Sequence, residues 1–132
     1  MLDRTAEKEL LPYCIEEGIS FIPYGPLAFG ILGGKYPENL KLDEKDWRHD
    51  VSLFEERTYK KNFMKVEKLK EFAREKDTTL SNIALAWLLN QRGIDTVIPG
   101  GKRAEQVREN VKVVDVSLNE CDLEYVQSIL ED

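Results

Sequence analysis

Apolar residues recur along this 132-residue chain with two periods, and the changes between them mark its elements. Leu2 to Glu17 reads as a helix whose stripe is Leu10, Leu11, Cys14 and Ile15, with Asp3 or Thr5 as cap and Gly18 as stop. Ile19 to Ile22 is a short apolar strand closed by Pro23, which has no N–H to give a sheet ladder. Tyr24 to Tyr36 is a glycine-rich loop that keeps large apolar side chains. Pro37 to Tyr59 is charged and irregular, with Trp47 and Phe54 as anchors and room for short helical turns. A stretch of that length is often a lid or a flexible segment.

Asn62 to Lys76 is a helix with Phe63, Val66, Leu69, Phe72 and Ala73 on one face and charges on the other. Thr79 caps the next helix, Leu80 to Gln91, which turns Ile83, Ala84, Trp87 and Leu88 inward, and Gly93 ends that region. Thr96 to Ile98 is a second short strand, stopped by Pro99. From about Arg103 the period is helical again, with Val107, Val111 and Val114 at i, i+4 and i+7. Ser117-Leu-Asn-Glu120 reads as a capping box that opens a last helix to about Leu130, carrying Leu123, Val126, Ile129 and Leu130.

The predicted order is α, β, α, α, β, α, α. Strands separated by helices imply parallel pairing and an α/β class. Two strands cannot make an independent parallel sheet covered on both faces. Residues 1–132 therefore read as one unit cut from a larger barrel. A chain that begins on a helix, with no strand before it, predicts more strands upstream.

Charge and composition narrow the function. Nineteen basic residues against 25 acidic ones leave a net charge of −6, which argues against a general binder of nucleic acid or of membrane surfaces. No apolar run approaches the ~18 residues that suggest a membrane span. Cys14 and Cys121 lie far apart without metal-like spacing, which predicts free thiols and a cytoplasmic protein, with Cys14 in the core. The lone His49 has no Cys or His partner, so no metal site is expected.

Candidate chemistry gathers after the two strands. Gly100 and Gly101 permit a tight turn and a close approach to the backbone. The helix start beyond them offers free N–H groups and a positive dipole end, and Lys102 and Arg103 add charge. A phosphate is the natural guest; the plainer reading is ordinary glycine punctuation with solvated basic residues. Tyr24 stands at the carboxyl end of its strand, where parallel α/β folds bind ligands. The plainer reading is that Tyr24 and Leu27 plug the end of the barrel.

Four stretches, in this order, resemble the C-terminal portion of an aldo-keto reductase. Leu2 to Cys14 is similar to the family's helix after the sixth barrel strand, and Pro23 to Tyr36 to the end of the seventh strand and its loop. Ile83 to Leu89 is similar to the seventh-helix signature, and Val97 to Asn110 to the eighth strand and cofactor motif. The resemblance implies a (β/α)8 TIM barrel, here incomplete, with about two parallel strands and surrounding helices. It also implies NADPH (NADP+) as cofactor. By position, Tyr24 matches the aromatic under the nicotinamide ring, Gly25, Pro26 and Leu27 the run along the pyrophosphate, and Gly30 the loop that lets it close. Gly100, Lys102 and Arg103 match the segment at the adenosine 2′-phosphate, and Gln106, Glu109 and Asn110 the helix positions at the adenine.

The family's catalytic Tyr, Lys, Asp and His lie on the first four strands, to which nothing here corresponds, so no catalytic residue is assigned. The resemblance thus implies the cofactor-binding segment of an enzyme that reduces aldehydes and ketones to alcohols, inactive alone. The alternative is a reductase-like regulatory or binding subunit. A small carbonyl substrate is expected only of the complete protein. The segment alone is expected to self-associate through its strand edges and inner face, or to rearrange its helices over them.

Overall fold

The computed structural model describes residues 1–132. Five α-helices carry it: α1 (Leu10–Glu16), α2 (Glu56–Glu75), α3 (Leu80–Leu89), α4 (Ala104–Val111) and α5 (Glu120–Glu131). No helix is long and apolar enough to cross a membrane. Core packing centres on α3, in which Leu80 and every residue from Asn82 to Leu88 are buried. A helix apolar on nearly all sides needs neighbours all round. They are α2, α4 and the 3₁₀ turns Ala28–Gly33 and Lys112–Asp115. Across from it, α2 buries Tyr59, Asn62, Val66, Leu69, Phe72 and Ala73, and α5 closes the far side with Val126, Ile129 and Leu130. Cys14 is buried and Cys121 exposed, both as free thiols.

Several boundaries differ from the sequence reading, each for a local reason. The first helix does not run from Leu2. A 3₁₀ turn covers Thr5–Glu7, where Asp3 Oδ1 accepts from the Thr5 amide at 3.0 Å, and α1 starts only at Leu10. Pro12 is the cause: it lacks an N–H and its ring would collide with the carbonyl of Lys8, so it is tolerated only in a first turn. Gly18, at φ +64°, ends α1 as expected, with the Ile19 amide donating back to Cys14 O at 2.8 Å. The second helix begins at Glu56, six residues ahead of Asn62, because Tyr59 and Asn62 extend its buried stripe. The last helix is capped by Asn119, not Ser117. Asn119 Oδ1 accepts from the Asp122 amide at 2.9 Å, and Asp122 Oδ2 accepts from the Asn119 amide at 3.1 Å. Two overlapping boxes compete in the sequence; the one that forms buries Leu118 and lets Asp122 pair with Lys76 at 2.6 Å.

The two expected strands are not strands. Ile19 to Ile22 and Thr96 to Ile98 form no ladder; two isolated parallel bridges, Phe21 to Ile94 and Tyr24 to Ile98, each pair one residue of an expected strand with a residue just outside the other. The bridged residues are three positions apart on one segment and four on the other, so the register slips by one. Pro23 falls inside that interval and donates nothing. Parallel neighbourhood survives; the ladder does not. No helix covers the outer side of this pair: Ile22, Tyr24 and Ile98 are exposed, as are Val107, Val111 and Val114 of the following helical stretch. The expected rearrangement of helices over these residues has not taken place.

Candidate functional site

The bridge between Tyr24 and Ile98 sets the start of one candidate loop beside the segment that leads into the other. On the first loop, Tyr24 is 86% exposed and plugs nothing. Packing falls instead to Pro26, which is buried, and to Leu27, which lies against the core. The Tyr24 ring is thus free to carry a flat ligand. A cleft of about 650 Å³ opens here, with Phe21, Pro23, Tyr24, Gly25, Phe29 and Trp87 in its wall.

Backbone conformation on this loop is unusual. Gly25 and Gly30 have φ of +60° and +98°, and between them Ala28 and Phe29 also sit in the left-handed region, at 49° and 53°. That conformation costs a residue with a Cβ roughly 1–2 kcal/mol. Gly30 is required sterically, since a Cβ there would lie 2.6 Å from Tyr36 Oη. The same hydroxyl donates to Phe29 O at 3.0 Å and accepts from Arg48 Nη1 at 2.6 Å. Tyr36 and Arg48 were not singled out by sequence pattern. The signal was there in the spacing of four aromatics, Phe29, Tyr36, Trp47 and Phe54, around an Asp46-Trp-Arg48 triplet.

On the second loop the expected tight turn does not fall on the glycines: Gly100 and Gly101 keep ordinary negative-side backbone and lead into a bend at Lys102 and Arg103 before α4. Asn110, buried, donates Nδ2 to Gly100 O at 3.2 Å. Gln106 Oε1 accepts from the amides of Lys102 at 2.8 Å and Arg103 at 3.1 Å. Those two N–H groups are therefore already satisfied, a correction to the expectation of free amides at the turn itself. The first-turn donors left to a ligand are those of Ala104 and Glu105. The side chains of Lys102 and Arg103 are exposed, and neither enters an ion pair.

Glu109 faces α3. Its Oε1 accepts from Asn82 Nδ2 at 3.1 Å and Thr79 Oγ1 at 3.2 Å, and its Oε2 pairs with Lys112 at 2.8 Å. The Lys112 ammonium, helped by the Thr79 hydroxyl against partial burial, holds this carboxylate below the usual range. The three α4 residues thus brace the bend, Gln106 and Asn110 directly and Glu109 by fixing the helix. Away from both loops, His49 Nε2 lies 2.9 Å from Asp43 O.

The profile described as Aldo/keto reductase family matches residues 1–131. An uncharacterized oxidoreductase, YrpG, of Bacillus subtilis (strain 168) is 32% identical over 90% of this chain and 34% of its own length. The NADH-specific methylglyoxal reductase of Escherichia coli (strain K12) is 30% identical over 99% of this chain and 40% of its own. Among solved structures, the glycerol dehydrogenase of Gluconobacter oxydans superposes with a TM-score of 0.87 at 25% identity, over 97% of this chain and 39% of that one. The chain thus spans about a third to two-fifths of the relatives it matches.

Proposed function

The chain belongs to the aldo/keto reductase family, and from that premise we propose that it forms the dinucleotide-facing segment of an NADPH-dependent cytoplasmic carbonyl reductase. The observation that carries this reading is the pairing of Tyr24 with Ile98. It brings an exposed aromatic and a bend carrying two unpaired cations, Lys102 and Arg103, to one end of the molecule.

The residues present suit such a cofactor. Tyr24 offers an uncovered ring face to a planar nicotinamide, and Gly25 leaves backbone accessible beside it. Lys102 and Arg103 offer charge to a 2′-phosphate, while Gln106 and Asn110 keep the bend in shape. Glu105, in the first turn of α4, works against an anion and makes the two cations necessary. When bound, a reduced nicotinamide supplies hydride for a carbonyl carbon. Such a transfer also needs a proton donor beside the carbonyl oxygen. Tyr24 belongs to the cofactor wall, and no residue of this chain is assigned that role; we propose that the chain alone reduces nothing. NADPH is favoured over NADH on the strength of Lys102 and Arg103 alone, since the Escherichia coli relative is described as NADH-specific.

Titration of the purified chain with NADPH, followed by cofactor fluorescence, tests the reading. Saturable binding that is lost on replacing Tyr24 with Ala is expected. No binding by the wild-type chain rejects it.

A further inference from the structure

We propose that Arg48 is a positioning residue for the cofactor loop, acting through Tyr36 and Phe29; the role rests on the dinucleotide reading above. The loop must keep Ala28, Phe29 and Gly30 in consecutive left-handed conformations, two of them against the preference of their side chains. Something outside the loop has to hold it there.

A chain of contacts leads outward from Gly25, the residue next to Tyr24. The Phe29 ring lies against Gly25, 3.5 Å from where a Cβ would stand. That ring is met edge-on by Trp47, with centroids 5.1 Å apart. The Phe29 carbonyl takes the Tyr36 hydroxyl proton. The Tyr36 oxygen in turn accepts from the Arg48 guanidinium, which polarises the hydroxyl and strengthens its bond to Phe29.

Arg48 is itself fixed. Its Nε reaches both oxygens of Asp46, at 2.9 and 3.1 Å, and Nη2 completes the fork. Asp46 also caps the turn Trp47–Asp50 by accepting from the Arg48 amide at 3.0 Å. The guanidinium covers the faces of Tyr36 and Phe54, 5.6 and 5.5 Å from their centroids. Arginine alone can hold a carboxylate, a hydroxyl and two rings at once; lysine has no planar fork with which to do so. The charged segment from Pro37 to Tyr59 is therefore a clasp on the loop, not a free lid.

The test compares Arg48→Lys, Arg48→Ala, Tyr36→Phe and the double variant Tyr36→Phe/Arg48→Lys with the wild-type chain. Hydrogen exchange is read at the amides of Gly30, Leu32 and Gly34, which bond to Leu27 O, Leu27 O and Ile31 O. NADPH affinity is read by titration. Each variant is expected to speed exchange at these amides about tenfold, leave α2 and α3 unchanged, and weaken NADPH about tenfold. The double variant is expected to do no more than either single one, and lysine not to rescue. Unchanged exchange at the loop overturns the proposal. So does a loss of NADPH affinity for the Arg48 variants without an exchange change, which would make Arg48 a direct ligand contact. A wild-type chain that fails to bind NADPH rejects the functional reading instead, while exchange still decides the clasp.

Discussion

Tyr24 and Ile98 meet in a single parallel backbone bridge, and both side chains point away from the core, 86% and 63% exposed. One contact thus joins the two loops and also leaves an open edge. Each segment has unpaired N–H and C=O groups on its outer side, with Ile22 and the valines of α4 and beyond nearby in sequence and likewise uncovered. Such an edge pairs readily with another chain.

Self-association through this edge is the expected behaviour of the chain in solution. Sedimentation velocity at increasing concentration should show dimers or larger species, and Ile98→Asp should return them to monomer. A wild-type chain that stays monomeric throughout rejects the expectation.

Charge at the bend should decide cofactor choice. Replacing Lys102 and Arg103 together with neutral residues is expected to weaken NADPH far more than NADH, by at most roughly 1.5–3 kcal/mol for each charge-assisted bond lost. Equal losses for the two cofactors would reject the assignment of these residues to the 2′-phosphate.

Carbonyl reduction by the isolated chain should be undetectable. Consumption of NADPH that depends on an added aldehyde and disappears in Tyr24→Phe would overturn the view that the proton donor lies elsewhere.

Stability should depend on pH through α5. Hydrogen bonding from Lys76 in the first place, and from the Asn119 amide, lowers the Asp122 pKa from its ordinary 3.8 despite opposing burial. Its contribution is therefore fully present above pH 3.8 and lost as pH falls through the depressed folded value. Asn119→Ala, which removes the reciprocal cap, is expected to cost about 1 kcal/mol at neutral pH. Denaturant melts at several pH values check both; a wild-type stability flat from pH 5 to 2 would exclude the pairing.

Helix stripes were legible because burial follows the 3.6 period. Leu69, Phe72, Ile83, Trp87, Val126 and Ile129 all lie inside, as their spacing required. The stop at Gly18 was legible too, since only a left-handed residue ends a helix that way at little steric cost. The family could be read from four ordered stretches.

What local pattern cannot carry is competition and closure. Which of two overlapping capping boxes forms depends on Lys76, 46 residues from Asp122. Whether Ile19 to Ile22 and Thr96 to Ile98 become a ladder depends on neighbours on both edges, and with one edge open only two isolated bridges form. Gln106, Glu109 and Asn110 carry the same letters whether they face a ligand or their own fold. Only the packing of α4 on α3 turns Glu109 toward Asn82. Arg48 read as one charge among many in an irregular segment. It is the folded positions of Asp46, Tyr36 and Phe54 around its fork that make it the clasp of a strained loop, because a planar guanidinium acts only where several partners converge.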